Sequence, residues 1–106
     1  MTHQKYNGWH NYETWVVKLW MDNEEPSYRY WREHVEAYIG ESDKSNPDWK
    51  HKAAIELSDD LKTEHESALP ELEGFASDLL AAGFSKVNWY EIAESLINDR
   101  AGARFP

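Results

Sequence analysis

Histidines and carboxylates are the residues of this sequence with the most chemistry to offer. The chain has five His, twenty Asp and Glu and no Cys, so a metal ion could be held only by imidazole and carboxylate groups. His10 and Glu13 lie three residues apart at the start of a predicted helix, and His34 or His65 could join them. No His-Glu-x-x-His motif or acidic calcium-binding loop is present. A metal site would have to be assembled by the fold, and we expect no bound metal or cofactor.

Signatures of nucleophilic catalysis and of phosphate binding are also missing. No serine lies in a Gly-x-Ser-x-Gly motif, and the five glycines are isolated rather than grouped in a phosphate-cradling loop. Two carboxylates could do acid–base chemistry if the fold brought them together, but no spacing selects such a pair. The sequence therefore predicts a non-enzymatic binding protein. The alternative is a small metal-dependent enzyme that uses His10, Glu13 and His34 or His65.

The charge of the chain is acidic and unevenly distributed. Eleven Lys and Arg against twenty Asp and Glu give a net charge of −9, and residues 41–80 alone hold four basic and eleven acidic residues. Direct binding to nucleic acid or to an anionic membrane surface depends on Lys and Arg, so the composition argues against both functions. No apolar run approaches the roughly 20 residues that a membrane-crossing helix needs. The acidic middle segment is thus the candidate surface.

Five carboxylates of this segment are the candidate contacts to a partner: Glu56, Asp59, Asp60, Glu64 and Glu66. Glu56, Asp60 and Glu64 follow an i, i+4, i+8 spacing, which places them about 6 Å apart along one helix face. Such a row can imitate the regular negative charge of phosphates and occupy a protein groove that normally binds nucleic acid. The alternative is a solvated face that only keeps the protein in solution.

Aromatic residues are concentrated in the first part of the chain, where nine of the fifteen fall within 38 residues. A stripe at 3-4-3 spacing on the second predicted helix is assigned to the core: Tyr28, Trp31, Val35 and Tyr38 or Ile39. Tyr30 falls outside this stripe. We expect Tyr30 and Trp9 to be exposed, and either could anchor a partner, because Trp and Tyr are enriched at interface hot spots.

Capping residues, prolines and glycines divide the chain into about five helices that must position these residues. The predicted ranges are approximately 12–22, 26–39, 47–68, 71–82 and 89–100. Asn11 caps the first helix, Gly83 ends the fourth, and Asn88 with Glu91 forms a capping box for the fifth. We expect a compact all-α bundle in a single domain over residues 1–106.

Two of these helices have informative faces. The first helix is apolar nearly all round, which favours a central position in the bundle. The alternative is a homo-oligomer that buries the surplus apolar surface between subunits. The third has one predicted buried stripe: Trp49, Ala53, Leu57, Leu61 and Ala68. Ile55 projects from its charged side, which is a mild sign of an interface.

One motif is specific enough to indicate a family. Residues 6–15 read Tyr-Asn-Gly-Trp-His-Asn-Tyr-Glu-Thr-Trp, and residues 19–23 continue with Leu-Trp-Met-Asp-Asn. This segment resembles a family of small, largely uncharacterised proteins from bacteriophages, other mobile elements and some bacteria. Residues 87–97, Val-Asn-Trp-Tyr-Glu-Ile-Ala-Glu-Ser-Leu-Ile, look like the C-terminal helix of the same family. Physically, the Asn-Tyr-Glu-Thr-Trp core is typical of a helix entry, so we assign it a role in the fold.

The resemblance implies a setting rather than an activity. Small acidic proteins of phages and plasmids often disable host defence enzymes by direct binding, as anti-restriction and anti-CRISPR proteins do. We therefore expect a cytoplasmic inhibitor in a bacterial host, directed against a nucleic-acid-handling or defence complex. Its partner would be a host protein or nucleoprotein complex with a basic nucleic-acid-binding groove. We expect the chain itself not to bind nucleic acid. A homodimer is the alternative assembly.

Overall fold

Five helices account for most of residues 6–103, the part of the chain that the computed structural model describes. They are α1 (Tyr12–Asn23), α2 (Glu25–Glu41), α3 (Trp49–Ser67), α4 (Phe75–Ser85) and α5 (Trp89–Ala103). Within the described residues there is no strand, and the predicted compact all-α bundle is confirmed. The predicted single domain also includes residues 1–5 and 104–106, which lie outside the described residues.

A tight turn leads the chain into α1. Tyr6 and Trp9 exchange two backbone hydrogen bonds of 2.8 Å across Asn7 and Gly8. Asn7 and Gly8 have φ angles of 48° and 88°, as the central residues of a type I′ turn require. The Asn-Gly pair is the sequence signal for this turn, which brings Trp9 against the core.

The starts of α1 and α5 are joined by hydrogen bonds among polar side chains and backbone. Asn11 accepts the Thr14 backbone N–H at 2.9 Å, which confirms it as the cap of α1, and its Nδ2 donates to the Lys86 carbonyl at 2.7 Å. The buried Thr14 Oγ1 accepts the Asn88 backbone N–H at 2.9 Å. The Asn-Tyr-Glu-Thr-Trp segment therefore holds two helix ends together, as the predicted role in the fold requires.

The capping box of α5 forms in part. Asn88 Oδ1 accepts the Glu91 backbone N–H at 3.1 Å, as expected for a cap. The Glu91 carboxylate, however, accepts the backbone N–H of His10 at 2.9 Å instead of that of Asn88. Since Thr14 already satisfies the Asn88 N–H, the carboxylate makes a further link between the two helix starts.

The core lies mainly between α3 and α5, which form the most extensive helix pair, with α2 packed against both. α3 contributes Ala53, Ala54, Leu57 and Leu61, and α5 contributes Ile92, Ala93 and Ile97. Trp31, Val35 and Ile39 come from α2. The predicted stripe of α2 is correct except for Tyr28, which is exposed, and Tyr38, which is half-buried.

The predicted central position of α1 is wrong. Met21 and Thr14 are its only buried residues, while Leu19 and Trp20 are exposed, Trp20 to 62%. α1 lies at the periphery because α3 and α5 pair with each other and leave it a narrower contact on α2 and α5. On α3, Ile55 is exposed as predicted, Trp49 packs half-buried against the core, and Ala68 is exposed because it caps the helix end.

The fourth helix begins and ends later than predicted. Gly74, with φ 67° and ψ −144°, caps α4 and sets its start at Phe75 rather than at Glu71. Gly83 lies inside α4 instead of ending it, and Lys86 is the C-cap. Across the described part of the chain, no helix combines the length and the apolarity needed to cross a membrane.

Candidate functional site

An acidic groove runs between α2 and α3. Its central part has a volume of about 470 Å³ and is lined by carboxylates from both helices, Glu33 and Glu41 from α2 and Glu56 and Asp60 from α3. A neighbouring depression contains Glu64 beside Tyr30 and His65. We call this set, Glu33, Glu41, Glu56, Asp60 and Glu64, the acidic groove.

Helical periodicity explains why these carboxylates line one groove. Glu56, Asp60 and Glu64 recur every four residues on α3, so they form a slowly turning row along the helix. Glu33 and Glu41 are eight residues apart on α2, which is close to two full turns. Packing of α2 against α3 brings the two rows to opposite walls of the same groove.

Two tyrosines of α2 fix the carboxylates of the opposite wall. Tyr30 Oη donates to Glu64 Oε1 at 2.6 Å, and Tyr38 Oη donates a short hydrogen bond to Asp60 Oδ2. The two tyrosines are eight residues apart on α2, and the carboxylates that they reach are four residues apart on α3. These bonds hold Asp60 and Glu64 in place without neutralising them.

Protonated tyrosine hydroxyls are favoured at these positions. Burial, followed by the hydrogen bond to Asp60, raises the pKa of Tyr38 far above its ordinary value. The hydrogen bond to Glu64 is the largest cause that raises the pKa of Tyr30. Both tyrosine hydroxyls thus remain hydrogen-bond donors at neutral pH.

One end of the groove continues into a cleft of about 240 Å³ beside Trp49, where Asp43 adds a further carboxylate and Lys52 a positive charge. Two hydrogen bonds from Ser45, from its hydroxyl at 2.6 Å and its backbone N–H at 3.0 Å, lower the pKa of Asp43. At the other end, His34 Nε2 lies 3.8 Å from Glu64 Oε2. Carboxylates thus outnumber basic side chains in the groove and in this cleft.

Two of the predicted site residues lie elsewhere. Asp59 and Glu66 are exposed on α3 but line no part of the groove. Asp59 precedes Asp60 by one residue and lies about 100° around the helix from it, and Glu66 is about 200° from Glu64. The structure brings Glu56, Asp60 and Glu64 together in the groove and leaves Asp59 and Glu66 outside it, so contact of these two with a partner stays a prediction.

The aromatic predictions have different outcomes. Tyr30 is exposed as predicted, although its hydroxyl is engaged by Glu64. The prediction that Trp9 is exposed is wrong, because the type I′ turn folds its ring half-buried onto the core, with Lys18 Nζ 6.0 Å from the ring centroid. Tyr38, predicted as an alternative to Ile39 in the core stripe, packs half-buried against the core and also lines the groove.

Sequence reasoning missed Glu33 and Glu41. Their i, i+8 spacing on α2 matches the spacing that selected Glu56 and Glu64 on α3, so the same rule applied to α2 could have found them. What the spacing leaves open is which side of α2 meets α3. That information comes from the buried residues Trp31, Val35 and Ile39.

His65, one of the histidines of the metal-dependent hypothesis, is held by a hydrogen bond and by aromatic neighbours. His65 Nδ1 hydrogen-bonds the Leu61 carbonyl at 2.7 Å, and its ring lies between those of Trp31 and Trp89 with centroid distances of 5.8 and 5.1 Å. Within residues 6–103, no group of three or more His, Asp and Glu side chains is arranged to hold a metal ion. The described structure thus gives the metal-dependent hypothesis no assembled site.

Comparison with known proteins places the chain in a family. Residues 2–101 match the model of a family of unknown function, DUF7249, and the chain belongs to this family. No curated protein and no solved structure matches the chain significantly.

Proposed function

We propose that this member of the DUF7249 family is a non-enzymatic inhibitor that occupies a basic, nucleic-acid-binding groove of a host protein or nucleoprotein complex. The observation that carries the proposal is the acidic groove, in which carboxylates of α2 and α3 face one another. A partner surface rich in Lys and Arg, built for phosphates, complements such a groove in charge.

Pre-organisation supports binding by this groove. The hydrogen bonds from Tyr30 and Tyr38 restrain Glu64 and Asp60 before any partner arrives. Side chains that are already ordered lose less conformational entropy on binding, so more of the interaction energy contributes to affinity. An acidic face that served only solubility would have no need of such restraint.

Charge also supports a partner that normally holds nucleic acid. The chain carries −9 in total, and steering by long-range charge accelerates the encounter with a basic surface. A duplex carries about one negative charge per 1.7 Å of its axis, and proteins that bind it concentrate Lys and Arg in their grooves. Occupation of such a groove would block nucleic acid without any chemical step.

The biological setting is part of the proposal. The resemblance of residues 6–23 and 87–97 to small proteins of phages and mobile elements supports an origin in such an element. The inhibitor would then act in the cytoplasm of a bacterial host. Its target would be a nucleic-acid-handling or defence complex of the kind that anti-restriction and anti-CRISPR proteins inhibit.

The test compares two variants that each remove three negative charges. The groove variant is Glu33→Gln/Glu41→Gln/Glu56→Gln, and the control is Asp59→Asn/Glu66→Gln/Glu94→Gln; all six side chains are exposed. Asp60 and Glu64 are left intact because they accept the tyrosine hydrogen bonds. Immobilised wild type and both variants are incubated with bacterial lysate, and retained proteins are quantified by mass spectrometry.

We expect wild type and the control to retain the same nucleic-acid-binding protein. The groove variant should retain at least about tenfold less, which corresponds to about 1.4 kcal/mol of binding free energy. Added duplex DNA or RNA should displace the retained protein. Equal retention by the groove variant and the control would contradict the proposal.

A homo-oligomer is a second candidate, favoured by the exposed Leu19 and Trp20 on α1. Large apolar side chains on a peripheral helix are typical of a surface that another subunit covers. Light scattering of the wild type at micromolar concentration would show a dimer, and Trp20→Ser would convert it to a monomer. A monomeric wild type would discard this candidate.

A further inference from the structure

The fourth helix presents large apolar side chains to solvent. Phe75 is 83% exposed and Leu79 is 68% exposed, and Leu72, just before the helix, is 42% exposed. None of the residues of α4 is fully buried. We call Leu72, Phe75 and Leu79 the apolar stripe.

The attachment of α4 explains why the stripe faces outward. Phe84, near the C-terminal end of the helix, packs against the core with its ring centroid 5.3 Å from that of Trp89. Phe75 precedes Phe84 by nine residues, which is two and a half turns, so the two rings leave opposite sides of the helix. One side of α4 holds it to the bundle, and the other has no partner within the described residues.

We propose that the apolar stripe inserts into an apolar groove of a partner protein whose rim carries Lys and Arg. Phe75 and Leu79 are spaced i, i+4 on α4, as in amphipathic helices that bind in a groove through a few large anchors, and Leu72 is exposed just before the helix. Phe and Leu anchors of this kind gain affinity by leaving water, and each contributes according to the apolar area that it buries.

The charges around the stripe identify the rim of the partner groove. Residues 69–85 contain Glu71, Glu73 and Asp78 and no Lys or Arg. A groove with an acidic rim would repel these carboxylates, whereas a basic rim would pair with them. Charge complementarity at the rim mainly sets orientation, specificity and association rate, while the apolar anchors supply affinity.

Two other occupants fit the stripe less well. A second copy would place three carboxylates against three more, which repel one another. A lipid surface is bound by helices whose polar face is rich in Lys and Arg, and residues 69–85 have neither. The partner groove with a basic rim is the occupant that agrees with the charge of this segment.

The apolar stripe and the acidic groove use different helices, so each can be tested without the other. The probes are two labelled helical-hairpin peptides with the same leucine-lined groove between their helices, one with lysines and the other with glutamates at the rim. Their binding to the full-length chain is followed by fluorescence anisotropy. The stripe variant is Phe75→Ser/Leu79→Ser, and the control, Leu19→Ser/Trp20→Ser, removes two exposed apolar side chains from α1.

We expect the lysine peptide to bind wild type and the control equally and the stripe variant at least about tenfold more weakly. The glutamate peptide should bind wild type at least about tenfold more weakly than the lysine peptide. Circular dichroism should be the same for all proteins, because the substituted side chains are exposed. The groove variant described above should still bind the lysine peptide, which separates failure of this proposal from failure of the proposed function.

Equal binding of the lysine peptide to wild type and to the stripe variant would overturn the proposal, because attraction would then come from net charge alone. Sedimentation velocity distinguishes a partner protein from a second copy as the occupant of the stripe. A wild-type dimer that becomes monomeric in the stripe variant would assign the stripe to a second copy instead.

Discussion

Individual polar residues explain the most specific motif of the sequence. Asn11 both caps α1 and donates to the Lys86 carbonyl, and Thr14 is fully buried with its hydroxyl between Asn11 and the Asn88 backbone. Hydrogen bonds thus join segments that are 74 or more residues apart. The Asn-Tyr-Glu-Thr-Trp core of the motif builds the fold, and the acidic groove lies on α2 and α3.

Replacement of Thr14 tests this role. Thr14→Val keeps the size of the side chain but leaves the Asn88 N–H without its acceptor, which we expect to lower the free energy of unfolding by about 1–3 kcal/mol. Thr14→Ser retains the hydroxyl and should lose less. Urea denaturation measures both; equal losses would show that packing of the methyl group, rather than the hydrogen bond, is what matters.

Tyr38 and Tyr30 make stability depend on pH in the alkaline range. Their pKa values are raised above 10.0 in the folded chain, so between the unfolded and folded pKa the folded protein binds more protons than the unfolded one. The free energy of unfolding must then fall as the pH rises above about 10. The stabilisation is fully present below that pH and is lost as the tyrosines ionise.

Urea denaturation at pH 9 and pH 11 checks this dependence. We expect the wild type to lose more stability between the two pH values than Tyr30→Phe/Tyr38→Phe, which has no hydroxyl to ionise at either position. At pH 9 the double variant should be the less stable protein, since it lacks both hydrogen bonds. An identical loss between pH 9 and pH 11 in both proteins would contradict the assigned role.

At the scale of helices, the sequence predicts a helix start correctly where a side chain caps the backbone three residues further on. Asn11 and Asn88 cap α1 and α5 as predicted. The start of α4 was misplaced because Gly74 adopts a positive φ that only the folded chain reveals, while Gly83, a typical terminator, continues the helix. The position of α1 was also wrong, since apolar content does not say which helices pair.

Gly74, which caps α4, and Gly83, which lies within it, give opposite predictions for replacement by alanine. At Gly83 an added methyl group meets no atom within 4 Å, so Gly83→Ala should stabilise the protein by about 0.5–1 kcal/mol through reduced backbone entropy of the unfolded chain. At Gly74 the φ of 67° and ψ of −144° disfavour any other residue, so Gly74→Ala should cost about 1–3 kcal/mol. Thermal or urea unfolding of the two variants decides, and a stabilising Gly74→Ala would be inconsistent with this backbone.

For the whole molecule, the sequence predicted the helical class and located the acidic surface only in part. The row of Glu56, Asp60 and Glu64 follows from spacing on one helix, whereas the opposite wall with Glu33 and Glu41 exists only because α2 packs against α3. The pairing of helices depends on contacts distant in sequence, which a single sequence does not display. The same limit explains why the exposed side of α4 was not foreseen.

The most direct test of the proposed function is competition between this chain and nucleic acid for the host protein that it retains. Labelled duplex DNA or RNA is bound to that protein, and wild type, groove variant or control is titrated in while anisotropy is followed. We expect wild type and the control to displace the nucleic acid, and the groove variant to displace it at least about tenfold more weakly. Added salt should weaken displacement by all three proteins. Nucleic acid that stays bound at saturating wild type, or equal displacement by the groove variant, would contradict it.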